Sequence, residues 1–197
     1  MLWLAALGAG FGVMWRYEST PGPGGGPPSR WPARSAIARR SGLPTLVMFA
    51  HPQCVCSRAS LGELERLKSR FDGRLAAYVV FLRPSDGGEE WDRSDLWDRA
   101  AAMPGVTALR DVDGREAARF GVVTSGHTLA YDAQGGLLFS GGLTAARGRE
   151  GEAKSARQIA ALLTTGQADR AVSPVFGCAL AHGALPDVEP SNERGRR

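Results

Sequence analysis

The sequence predicts an α/β fold, a three-layer α/β/α sandwich on a mixed sheet. Two short apolar runs rich in β-preferring residues, 45–50 and 75–82, have the composition of strands buried on both faces. Each is followed by a stretch that reads as a helix. Two further apolar segments, 128–131 and 137–139, flank Asp132-Ala-Gln-Gly-Gly136 as a hairpin with a glycine-containing loop.

The 197 residues, 43% apolar and 22% charged, are enough for one domain with its own core and exclude a disordered chain. Three cysteines are too few for a disulfide scaffold. The net charge is +4. The basic residues, all arginine except Lys68 and Lys154, are interspersed with acids, so no nucleic-acid partner is expected.

Met1 to Trp15 carries no charge, and Trp3 and Trp15 lie near its ends, as interfacial aromatics do. As a helix it would be ~23 Å long, short of the ~30 Å hydrocarbon core. Residues 1–17 are read as a membrane anchor or signal segment. Residues 18–40, with Pro-Gly-Pro-Gly-Gly-Gly-Pro-Pro at their centre, read as a flexible tether that cannot pack. A domain is expected over 41–166 and a C-terminal extension and tail over 167–197. This order of segments implies a domain held at a membrane on the exported side, as in a bacterial periplasm.

Within the domain, strand 45–50 runs into His51-Pro-Gln-Cys-Val-Cys56. Apolar residues at 59, 61, 64, 67 and 71 then mark a helix, with Ser57 as its expected N-cap and Gly73 as its stop. After strand 75–82 come a polar loop (83–90), a helix (91–103), a short strand (106–109), a turn (111–114) and a short helix (115–120). The hairpin and a last helix over about 152–165 complete the order β-α-β-α-β-α-β-β-α.

Chemistry concentrates at Cys54 and Cys56. A thiol at a helix N-terminus meets unpaired backbone N–H groups and the positive end of the helix dipole, which favour the reactive thiolate. His51 and Arg58 are close in sequence and would add positive charge. Cys178, beyond the last helix, has three readings: a resolving thiol, a static disulfide partner, or a buried free cysteine. A rival reading is metal: His51, Cys54 and Cys56, with His127 or Cys178, would make a soft site for Cu(I) or zinc. Ser41, Ser125 and Ser140 lack the context of a nucleophile elbow.

Leu46-Val-Met-Phe49, the cysteine loop and the helix after it resemble the thioredoxin superfamily, as do segments 109–122 and 128–142. The likeness covers about 43–163 and is to exported thioredoxin-like or peroxiredoxin-like domains. It implies thiol–disulfide redox chemistry with Cys54 as nucleophile and Cys56 as resolving thiol, a protein thiol or disulfide as substrate or partner, and no cofactor. Two positions depart from the family pattern. The dithiol is Cys-x-Cys, with Ser57 where the second cysteine belongs. His127 stands where the family has a cis-proline. A cis bond before a non-proline residue costs ~2.5–4 kcal/mol, so a trans peptide is expected there. If His127 faces the cysteines, its imidazolium would stabilise the Cys54 thiolate.

Overall fold

The computed structural model describes residues 2–71, 73–88, 91, 93–151, 154–165 and 171–180. An apolar helix, α1 (Leu2–Ser19), precedes the sheet. The elements that follow are β1 (Thr45–Ala50), α2 (Val55–Arg70), β2 (Ala76–Arg83), α3 (Asp95–Ala102), β3 (Val106–Val112) and α4 (Arg115–Arg119). The chain continues through β4 (His127–Tyr131), β5 (Leu137–Gly142), α5 (Lys154–Thr165) and β6 (Ala171–Val172). The six strands lie in the order β3-β2-β1-β4-β5-β6. β1, β2 and β3 are mutually parallel, β4 is antiparallel to both β1 and β5, and β6 is parallel to β5. Every residue of the central strand β1 is buried, as its continuous apolar run requires.

The pleat of β1 divides the core in two. Leu46, Met48 and Ala50 face Leu61, Leu64 and Leu67 of α2, Leu96 and Ala100 of α3, and Ile159 of α5. Val47 and Phe49 face the other way, toward Ala117 of α4, Phe120, Leu129, Tyr131 and Ile37. α4 is only five residues long and cannot cover that second face alone.

The segment expected to be a tether supplies the missing cover. Trp31 packs edge-on against Phe120 and Tyr131, at centroid distances of 5.0 and 5.1 Å, and Ile37 is buried. The backbone amide of Gly22 donates to Val175, Gly26 to Gly121 and Trp31 to Gly135, while Leu137 donates to Ser29. The expectation of an unpacked tether over 18–40 is therefore corrected. Proline and glycine forbid regular structure there, but two apolar anchors and the sheet's need for cover hold the segment down. The sheet likewise continues past residue 166 into β6. Residues 181–197, including His182, lie outside the described residues.

Two helix starts also differ from expectation. α2 begins at Val55 with Cys54, not Ser57, at its N-cap. The Ser57 hydroxyl is buried and turned toward Ser125. α3 begins at Asp95, where Ser94 Oγ accepts the Trp97 amide. Among the described residues no helix is long and apolar enough to cross a membrane.

Candidate active site

β1 ends at Ala50, and the chain turns through His51-Pro52-Gln53. The Cys54 amide donates to the His51 carbonyl at 3.1 Å, and Ser57 donates to the Cys54 carbonyl at 2.9 Å. This sets Cys54 in extended conformation at the mouth of the 16-residue α2. Ser125, in the loop before β4, braces the turn. Its Oγ accepts the His51 amide at 2.8 Å and lies 2.7 Å from Ser57 Oγ, with both serines fully buried.

Cys178 arrives from the opposite side. After β6, Ser173 donates to the Ser140 carbonyl and Gly142 donates to the Pro174 carbonyl, both at 3.1 Å. The chain then runs antiparallel to the 123–125 loop. Ser125 donates to the Cys178 carbonyl at 2.8 Å, Leu180 donates to Val123 at 3.0 Å, and Thr124 and Ala179 form a bridge. Two glycines allow this approach. A Cβ at Gly177 would run into the Ser125 carbonyl, and one at Gly141 into the Ser173 backbone. Val175, Phe176 and Leu180 are buried, which leaves Cys178 and Ala179 facing out.

The result is a pair of sulfurs: Cys54 Sγ lies 3.1 Å from Cys178 Sγ. Both thiols are free; Cys54 is buried and Cys178 exposed. Burial alone would raise the Cys54 pKa. Hydrogen bonds from the Cys178 thiol and from the backbone of Cys178, Ser57 and Cys56 outweigh it, and the group lies below the ordinary thiol range. Cys178 is pushed up to about 11, by burial first, then by its hydrogen bond to Cys54 and by the charges of Cys54 and Cys56. Cys56, half-buried, is raised by burial and by the charge and hydrogen bond of Cys54, with Arg147 acting in the opposite sense.

Arg147 ties this end of the molecule together. Its Nη1 donates to the Gly177 carbonyl at 2.7 Å, and its Nε donates to Tyr17 at 3.1 Å at the C-terminal end of α1. Neither Arg147 nor Ser125 carries a signal in the sequence. One is an arginine in an arginine-rich chain, the other a serine in an irregular loop.

His127 does not play the part that its position suggests. Alternation along β4 places it with Leu129 and Tyr131, on the sheet face opposite α2. It is 1% exposed, with Nε2 2.9 Å from Ser140 Oγ and no partner for Nδ1 among the described residues. Desolvation lowers its pKa to about 4, so it is neutral near pH 7 and offers no imidazolium to a thiolate. All peptide bonds among the described residues are trans.

The metal reading gains no support from the structure. Among the described residues no group of three or more His, Cys, Asp and Glu is placed to hold an ion. Nδ1 of His51 accepts the Gln53 amide at 3.2 Å, its ring stands edge-on to Trp91, and the Cys54 sulfur faces Cys178.

No protein-family model matches the sequence, and no curated protein matches it. Solved structures do match. An uncharacterized conserved protein from Geobacillus kaustophilus aligns at TM-score 0.61 and 16% identity, over 85% of this chain and 95% of its own. A hypothetical protein from Sinorhizobium meliloti 1021 aligns at TM-score 0.56 and 19% identity, over 72% and 81%. The central β1 has parallel crossovers on one side, an antiparallel hairpin on the other, and a cysteine at the N-terminus of the helix that follows it. The fold is thioredoxin-like. A secreted Mycobacterium tuberculosis disulfide oxidoreductase homologous to E. coli DsbE is more distant, at TM-score 0.43 and 18% identity over 63% of this chain and 82% of its own. On this thioredoxin-like scaffold, the sulfur 3.1 Å from Cys54 comes from the C-terminal segment, while Cys56 in the first turn of α2 is a second thiol neighbour of Cys54.

Proposed function

We propose that this thioredoxin-like chain performs thiol–disulfide exchange, with Cys54 and Cys178 as the working pair. The observation that supports the reading is the 3.1 Å separation of the two sulfurs, one of them at a helix N-terminus that favours thiolate. In the oxidising direction a partner dithiol gives up two electrons and two protons. The Cys54–Cys178 disulfide accepts them and becomes two thiols. The reverse reaction uses the same pair. Cys56, expected from the resemblance to resolve Cys54, becomes a neighbouring thiol that is not required for turnover.

The exposed apolar residues of α1, among them Trp3, Leu4, Phe11 and Trp15, support attachment at a membrane on the exported side, where disulfides persist. Fractionation of cells expressing the full chain tests this; recovery wholly in the soluble cytosolic fraction contradicts it.

Turnover of a dithiol substrate tests the redox reading. Cys54→Ser and Cys178→Ser are each expected to fall to background, while Cys56→Ser retains activity. Full activity in Cys178→Ser together with loss in Cys56→Ser restores the Cys54–Cys56 pair and overturns the reading.

A further inference from the structure

We propose that an external thiol attacks the Cys54–Cys178 disulfide at the Cys178 sulfur, so that the covalent intermediate with the partner is carried on Cys178 and Cys54 is the sulfur that leaves. The proposal rests on the Cys54–Cys178 pairing of the preceding section and assigns which sulfur a partner touches.

Access decides first. Exchange requires the incoming thiolate to approach one sulfur from the side opposite the bond that breaks. Cys54 is 3% exposed, seated between the end of β1 and the first turn of α2. Almost none of its surface is open to an incoming thiolate. Cys178 is exposed, as is its neighbour Ala179, while the flanking Phe176 and Leu180 are buried and hold the segment in place. Main-chain hydrogen bonds from Ser125 to Cys178 and from Leu180 to Val123 oppose a shift of the segment.

The leaving group decides in the same direction. A sulfur leaves more readily the better its thiolate is stabilised. Cys54 departs into the N-terminal end of α2, where the Cys56 and Ser57 backbone already stabilises its charge. Cys178 lies outside the described helices, on the irregular segment after β6.

A thiolate of the partner forms a bond to Cys178 Sγ. The Cys54–Cys178 bond breaks, and its electron pair stays on Cys54 as thiolate. A second thiol of the same partner, as thiolate, then attacks its own sulfur in the mixed disulfide. Cys178 leaves and takes up a proton. The partner has lost two electrons, and the chain has gained them. The partner class this requires is a dithiol whose first sulfur projects far enough to meet a surface cysteine.

The test uses the full chain carrying Cys56→Ser, oxidised with diamide and checked for the Cys54–Cys178 disulfide by peptide mapping. A brief pulse of reduced glutathione, a monothiol that stops at the mixed disulfide, is quenched with acid, and the modified cysteine is identified by mass spectrometry. Glutathione is expected on Cys178 in at least tenfold excess over Cys54. Equal labelling, or labelling mainly on Cys54, overturns the proposal and leaves the pairing intact. Failure of the Cys54–Cys178 disulfide to form, in this variant and in the unsubstituted chain, overturns the pairing itself.

Discussion

Cys54 and Cys178 meet from segments of opposite construction. Cys54 sits where a buried strand turns into a long helix, and its environment is made of backbone amides and a helix dipole. Cys178 sits on an extended segment, held by main-chain hydrogen bonds to the 123–125 loop and by glycines that let two backbones touch. The first segment makes a sulfur acidic but buries it. The second exposes a sulfur but leaves it a poor acid. Acidity and access, which one reactive cysteine would have to combine, are divided between two residues that lie far apart in sequence.

The sharpest way to break this division is Gly177→Ala. The added methyl has no room against the Ser125 carbonyl, so the segment must move and carry Cys178 away. Formation of the Cys54–Cys178 disulfide by diamide is expected to slow at least tenfold, with a stability loss of about 1–3 kcal/mol. Stopped alkylation and urea unfolding read the two effects. A variant that forms the disulfide at the wild-type rate would show that the glycine contact does not position Cys178.

A smaller effect is expected from Cys178→Ala on the acidity of Cys54. The Cys178 thiol is among the hydrogen bonds that lower the Cys54 pKa, and alanine has no donor to replace it. The pH profile of Cys54 alkylation should therefore move to higher pH in this variant. No movement would mean that the helix terminus alone sets the acidity.

The smallest effect on the site is expected from His127→Gln, which should leave that alkylation profile in place. Its consequence lies in stability. The folded-state pKa of His127, about 4, is below its ordinary value of 6.5. The unfolded chain therefore takes up the proton first as pH falls, and stability present above pH 6.5 is lost toward pH 4. The loss amounts to up to about 3 kcal/mol. Urea unfolding at pH 7 and pH 4.5 should show a smaller difference in His127→Gln than in the wild type. A Cys54 profile that shifts in this variant would return His127 to the site.

The two segments also differ in how far they could be read from sequence. β1, α2 and the place of Cys54 follow from a buried apolar run and a helical period, both local patterns. Segment 171–180 has no period. Its position depends on Gly141, Gly142 and Gly177 accepting close backbone contact, which composition alone reports as turn or tail. The same blindness covers residues 20–39, where proline and glycine hid the anchoring by Trp31 and Ile37. For His127 the position was legible but the charge was not, because burial on the α4 side of the sheet decides its protonation. Ser125 matters through neighbours distant in sequence, His51, Ser57 and Cys178.

The pairing of sulfurs is tested most directly by peptide mapping of the unsubstituted full chain after mild oxidation, with free thiols blocked at acid pH before digestion. One intramolecular disulfide joining Cys54 to Cys178 is expected, with Cys56 recovered in blocked form. A Cys54–Cys56 disulfide with Cys178 blocked would contradict it.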